Sequence, residues 1–232
     1  IGDTVQFTSL KPYRIIVSGR IKHFISAFGE HVIAKEVESA LQEATENSEI
    51  RINEFLKKDL KDEVVIFQTD TVYGLGCLIS SEKGVERIYE IKKRDGNKPL
   101  AVLCAKNEQV KSIVSEFELG RKIGEKYWPG ALTLIMPKKN IIGNFITSNF
   151  DTVAVRIPND KIALSILEKN GPMAVTSLNL STEPAILNYA DAYEYLNEVD
   201  YLVEGVDLNS KSSTIYDCIN QRTLRNGEIK ID

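Results

Sequence analysis

The sequence predicts an α/β fold, a twisted mixed sheet with flanking helices, joined to a short N-terminal α+β appendage. Three observations carry that prediction. From residue 50 onward, strand-like apolar runs alternate with amphipathic helical stretches. The first such run, 64–67, is continuously apolar and largely β-branched, as suits a strand covered on both faces. Toward the far end Asn226-Gly227 stands between RTLR and EIKI, a hairpin signal that makes the sheet mixed.

Along the chain, residues 1–47 differ in character from residues 50–232. They hold a strand-like 13–17, a turn at Gly19-Arg20, another apolar segment and a helix over 33–44, whose Ile33, Val37, Ala40 and Leu41 form one stripe. The polar TENSE at 45–49 reads as a linker or helix end. A helix carrying Ile52, Phe55, Leu56 and Leu60 then leads into the 64–67 strand. Thr69, Asp70, Thr71 and Tyr73 follow, then Gly74 and Gly76, a loop in which glycine permits close backbone approach. A helix over 85–93 places Val85, Ile88 and Ile91 on one side. Strands are expected at 100–104, 132–136, 153–157, 173–176 and 201–203, with helical stretches at about 106–127, 160–170 and 188–196.

Composition removes several classes of function. Hydrophobic content of 43% and charged content of 27% are those of a soluble globular chain, and no apolar run approaches the length of a membrane span. No signal peptide opens the chain, so the expected location is cytoplasmic. A net charge of -4 means that nucleic acid would need a local basic patch. Cys77, Cys104 and Cys218 are widely spaced, odd in number and lack a C-x-x-C pair, which argues against a disulfide framework and a structural zinc site. His23 and His31 are the only histidines. Residues 50–232 therefore hold neither a histidine-activated nucleophile nor a histidine metal site, and no protein-bound metal is expected.

The remaining chemistry gathers at strand ends. Lys92, Lys93, Arg94 and Lys98 fall where a helix gives way to a loop loosened by Gly96. Such a run caps a helix dipole, and its density also suits a polyphosphate. AVTSLNLST at 174–182 is a strand emptying into hydroxyls and amides, and Ser212, Ser213 and Thr214 precede another strand. Arg156 interrupts an alternating strand, and Arg225 sits beside the hairpin. Ligands of α/β sheets collect at such ends, so one shared concave site is expected.

Seven segments occur in order: TDTVYGLG, IYEIKKR with KPL, WPGALTLIM, DTVAVRIP, TSLNLS, SSTIYD and LRNGEI. Together they resemble the YrdC/TsaC family of L-threonylcarbamoyladenylate synthases over residues 50–232. The resemblance implies the twisted mixed sheet of the YrdC type with a concave active surface. It also implies formation of threonylcarbamoyl-AMP from ATP, L-threonine and bicarbonate or carbon dioxide, with release of pyrophosphate. Carried over, the family's K-x-R falls on Lys92 and Arg94, expected to be catalytic, and its S-x-N on Ser177 and Asn179. These surround the nucleotide phosphates, with Lys98, Thr152 and Arg225 as further nucleotide contacts. Thr71, Arg156 and Ser213 match threonine-holding positions. Mg²⁺ comes with ATP, RNA (double-stranded or tRNA) is an implied partner, and a downstream tRNA threonylcarbamoyl transferase complex receives the product. The YciO branch of the same fold supplies a second reading, a nucleotide- or RNA-binding protein without turnover.

The chain departs from that family at four places. Gln68 and Asp95 replace prolines, Ser181-Thr182 replaces Ser-Gly, and Leu103 stands where many members have a threonine-contacting histidine. Residues 1–47 resemble the hinge and start of the C-terminal domain in acyl-adenylating enzymes of the auxin-amido-synthetase group. Without the large nucleotide domain or the catalytic lysine of that group, they read as a non-catalytic remnant or fusion.

Overall fold

A computed structural model of the chain describes residues 2–10, 13–21 and 48–231 apart from position 94, with side chains from residue 49 onward. The chain divides into two compact units, Ile1–Ser48 and Glu49–Asp232. In the first, β1 (Gly2–Leu10) pairs antiparallel with β2 (Tyr13–Ile21). β2 contains the expected 13–17 strand but runs on through Gly19 and Arg20, where the sequence suggests a turn. Thr4 faces Gly19 and Val5 faces Val17, so a bulge at Ser18 absorbs the glycine without ending the strand. The helix expected over 33–44 lies outside the described residues.

The sheet of the larger unit contains β3 (Ser48–Ile50), β4 (Val65–Phe67), β5 (Gly74–Leu78), β6 (Ala101–Leu103) and β7 (Leu132–Pro137). It continues with β8 (Thr152–Arg156), β9 (Met173–Ser177), β10 (Tyr201–Val203), β11 (Thr214–Asp217) and β12 (Arg222–Arg225). The spatial order is β12-β11-β7-β8-β6-β9-β5-β4-β10-β3. Pairs β4/β10, β6/β8 and β7/β11 are parallel, and β4/β5, β5/β9, β6/β9, β7/β8 and β11/β12 are antiparallel, so the sheet is mixed as expected. β10 and β11 follow one another in the chain, yet six strands lie between them. The 204–213 segment therefore runs the width of those strands. It is pinned where Val206 N donates to Gln68 Oε1, Tyr73 Oη donates to Val206 O, and Leu208 N donates to Leu187 O.

Helices α1 (Ile52–Phe55), α2 (Glu82–Lys92), α3 (Asn107–Ile113), α4 (Glu118–Tyr127), α5 (Asn144–Thr147), α6 (Lys161–Asn170) and α7 (Tyr189–Tyr193) flank the sheet. α2 starts where Ser81 accepts from Gly84 N, and α6 where Asp160 accepts from Ala163 N. The expected 106–127 helix is two, because Val114 leaves helical geometry to bridge Lys138. α1 stops at Phe55, although Phe55 and Leu60 still enter one apolar cluster.

The closing hairpin also differs from expectation. It joins β11 to β12 through 218–221, where the Asp217 carboxylate accepts from the backbone N–H groups of Ile219 and Asn220 and from the Asn220 amide. Gly227 makes no turn of its own. Its N–H donates to Thr214 Oγ1, and a Cβ there would lie 2.4 Å from Ser212 O and 2.5 Å from Thr214 N. The glycine lets two main chains touch.

Strand alternation distributes the core to both faces. Val64, Ile66, Val102, Leu134, Val155 and Ala174 enter one cluster, and Val65, Phe67, Leu103, Met173 and Val175 the other, with Ile166 and Leu167 of α6. The second face is only partly covered, and the site lies there.

Candidate active site

On that face, residues two apart along each strand line a cavity of about 330 Å³. Thr133 and Ile135 come from β7, Ala154 and Arg156 from β8, Ala101 and Leu103 from β6, and Val175 and Ser177 from β9. The register aligns them: Ala101 faces Ala154 and Val175, and Leu103 faces Arg156. The methyl side chains of Ala101 and Ala154, and the bare backbone of Gly74, leave the floor open. Thr69, Thr71, Ser212, Ser213 and Arg225 form the walls.

Arg156 is 5% exposed, and its guanidinium is fixed on three sides. Nε donates to Gly130 O at 2.9 Å, Nη1 to Thr71 Oγ1 at 2.8 Å and Nη2 to Asp70 Oδ1 at 2.5 Å. Thr69 Oγ1 in turn lies 3.0 Å from Thr71 Oγ1 and donates to Val72 O. Burial pulls the Arg156 pKa below the ordinary guanidinium value, opposed by Asp70. Arg225 is exposed as a residue, with its guanidinium partly buried against Ser213. Its Nε donates to Ser213 O and its Nη2 to Ser213 Oγ, while Ser213 Oγ also meets Thr133 Oγ1 at 2.8 Å. Its pKa too is lowered, first by burial and then by the charge of Arg156. Two guanidiniums thus feel each other across one cavity. Among the described residues Arg156 pairs with a carboxylate and Arg225 with none, so the cavity is built for an anion.

Thr71, Arg156, Ser177, Ser213 and Arg225, all singled out in the sequence, line this one cavity, as does Leu103. Asn179 adjoins it through Ser177, whose hydroxyl donates to Asn179 Oδ1 at 2.6 Å. Thr152 shares the face of Ala154 and Arg156 at the start of β8 but is not a lining residue. Lys98 is exposed next to the lining Pro99. Arg94 lies outside the described residues. Lys92 differs from expectation. It is 1% exposed and does not line the cavity, and its ammonium is bonded to oxygens of Ser177 and Asn179.

Asp70 and Thr133 were not among the expected site residues. Thr133 was legible as the polar member of an alternating strand, two residues before Ile135. The three cysteines are buried, and burial first of all raises their thiol pKa values, to about 12 for Cys77 and Cys218. Among the described residues no group of three or more His, Cys, Asp or Glu converges as a metal site, and no helix is long and apolar enough to cross a membrane.

A mixed α/β sheet with an arginine-lined cavity on its open face defines a binding site for small anionic substrates. The chain belongs to the Sua5/YciO/YrdC family, whose model, described under the heading telomere recombination, matches residues 59–227. It is 36% identical over 145 residues to a threonylcarbamoyl-AMP synthase of Pyrococcus abyssi, covering 61% of this chain and 43% of that one. A putative threonylcarbamoyl-AMP synthase of Methanocaldococcus jannaschii is 34% identical over 199 residues, covering 82% of this chain and 93% of its own. The fold matches P. abyssi Sua5 crystallised with L-threonine at a TM-score of 0.65 and 34% identity, over 67% of this chain and 47% of that one. This chain thus spans less than half of the P. abyssi protein and nearly all of the M. jannaschii one.

Proposed function

We infer that this chain forms L-threonylcarbamoyl-AMP from L-threonine, bicarbonate or carbon dioxide, and ATP, releasing pyrophosphate. The observation that carries the reading is the pair of guanidiniums, Arg156 and Arg225, facing one cavity with a single paired carboxylate. The names borne by its relatives and the threonine bound in P. abyssi Sua5 support the choice of substrate.

In this reading Arg156, preset by Asp70, Thr71 and Gly130 O, takes the threonine carboxylate, with Ser213 beside it. Arg94, Lys98, Thr152, Ser177, Asn179 and Arg225 serve the nucleotide, and Mg²⁺ arrives with the triphosphate. The threonine amine adds carbon dioxide and loses a proton, giving a carbamate. A carbamate oxygen then bonds to the α-phosphorus as the bond to pyrophosphate breaks. The carbamate is already an anionic nucleophile, which fits a larger unit without histidine. The protein's contribution is to hold two anions together and to oppose the charge that develops on phosphate oxygens. Transfer to tRNA would fall to a threonylcarbamoyl transferase complex, with RNA as a partner and a cytoplasmic setting.

Pyrophosphate release from MgATP and bicarbonate, with L-threonine, L-serine or no amino acid, tests the reading. Release that requires threonine is the expected result. ATP binding without such release would favour the YciO-like alternative.

A further inference from the structure

We propose that Lys92 is a positioning residue, holding the 177–181 loop in its ligand-binding shape instead of meeting the nucleotide itself. The proposal rests on the adenylate-forming reading above. Lys92 is the last residue of α2, and its Nζ donates to Ser177 O at 2.5 Å, Asn179 O at 2.7 Å and Asn179 Oδ1 at 3.0 Å. An ammonium has three N–H donors, and three oxygens converge on this one. The lysine's own carbonyl accepts from Ser181 N at 2.9 Å, so both its side chain and its backbone grip the same loop.

The loop is folded around that grip. Ser177 Oγ donates to Asn179 Oδ1, and Asn179 Nδ2 donates to Leu180 O and Glu183 O. Leu178 N is taken by Tyr73 O. Carbonyl oxygens of Ser177 and Asn179, which would repel a phosphate, are turned onto Lys92, while Ser177 lines the cavity. Lys92 is 1% exposed, and its ammonium already faces three oxygens, so an anion would have to displace one of them. Reaching a phosphate would strip the lysine from part-buried carbonyls, which are costly to leave unpaired.

The geometry also separates lysine from arginine. A point-like ammonium can satisfy three convergent oxygens, whereas a planar guanidinium spreads its donors and cannot. A lysine that simply supplied charge to phosphate would be replaced tolerably by arginine. A clamping lysine would not.

The test is a set of Lys92→Met, Lys92→Arg, Asn179→Ala and Lys92→Met/Asn179→Ala proteins, with melting temperature, ATP affinity by calorimetry, and KM and kcat for pyrophosphate release. We expect Lys92→Met and Asn179→Ala each to weaken ATP binding about tenfold and to raise the KM for ATP, with the double variant within about threefold of the worse single one. Lys92→Arg should be as impaired as Lys92→Met. Effects that multiply in the double variant, or an arginine variant close to wild type, would overturn the proposal.

Wild-type protein gives an independent readout should the variants unfold. The Lys92 ammonium nitrogen should give an exchange-protected NMR signal that stays in place when ATP is added. Its displacement, or coupling to phosphorus, would count against the clamp. Wild type that binds ATP without threonine-dependent release removes the adenylate reading while the affinities and the NMR signal still judge the lysine. Wild type that binds no ATP overturns both.

Discussion

Arg156 Nη2 lies 2.5 Å from Asp70 Oδ1, an ion pair between side chains only 6% and 15% exposed. The carboxylate does more than neutralise: with Thr71 and Gly130 O it sets the plane of the guanidinium before a substrate arrives. Removing it strands a buried cation, so Asp70→Ala should cost about 3 kcal/mol in denaturant titrations. It should also raise the KM for threonine more than that for ATP. Equal changes in the two constants would place Asp70 outside the amino-acid end of the cavity.

Gly227 is a contact point between chains of backbone, not a turn. A methyl group there would meet Ser212 O and Thr214 N, neither of which is a flexible side-chain tip. Gly227→Ala should therefore destabilise the protein by about 2 kcal/mol. Because Ser212 and Ser213 line the cavity, the same change should lower kcat/KM at temperatures well below the melting point. A variant with unchanged melting and turnover would show that the segment shifts freely.

Thr182 holds φ at +80°, a conformation that β-branched residues rarely adopt. Threonine stands here where the family that the sequence resembles usually has glycine. Thr182→Gly relieves backbone strain while adding freedom to the unfolded chain, and the first effect is the larger, for a net gain of about 1 kcal/mol. Thermal melting measures it directly, and a lower melting temperature would mean that the threonine side chain contributes more than its backbone costs.

Asp217 predicts an acid limb. Burial opposes its ionisation, but hydrogen bonds from Asn220 and Ile219, with the charge of Arg222, hold its pKa below the usual 3.8. A lowered folded-state pKa adds stability that is present above the unfolded value and is lost as pH falls through the folded one. Stability measured from pH 5 downward should thus fall less steeply in Asp217→Asn than in wild type. Parallel slopes would assign the acid limb to other carboxylates.

Much of this fold was legible because alternation and helical spacing are local properties. β4, β7, β8, β9 and β10 stand where apolar runs placed them. β5 was missed because Gly74 and Gly76 resemble loop residues. In the sheet, a Cβ on Gly76 would lie 2.9 Å from Val175 Cγ2, so the glycine makes room for a neighbouring strand and not for a turn. The Asn226-Gly227 signal misplaced the hairpin for a related reason: Asp217 and its hydrogen bonds decide where the chain reverses. At the site, Arg156, Thr71 and Ser213 could be named from their residue types and motif positions. What spacing could not supply was that the ammonium of Lys92 turns inward, since burial is decided by α2 and β9 together. Asp70 was visible in the polar cluster but received no role, because a carboxylate beside threonines reads as an ordinary turn until its arginine partner, 86 residues away, is seen.

The interleaved strand order has a consequence for the ribosome. β11 lies beside β7, and β12 beside β11, although both are made after β10 at the opposite end of the sheet. A nascent chain translated only through β10 already carries Asp70, Thr71 and Arg156, with apolar strands to bury. It has neither Ser213 nor Arg225, and the side of β7 that β11 will occupy is unpaired. Translation stalled at that point would leave a sticky strand edge and half a pocket, a species for chaperones or proteases to find.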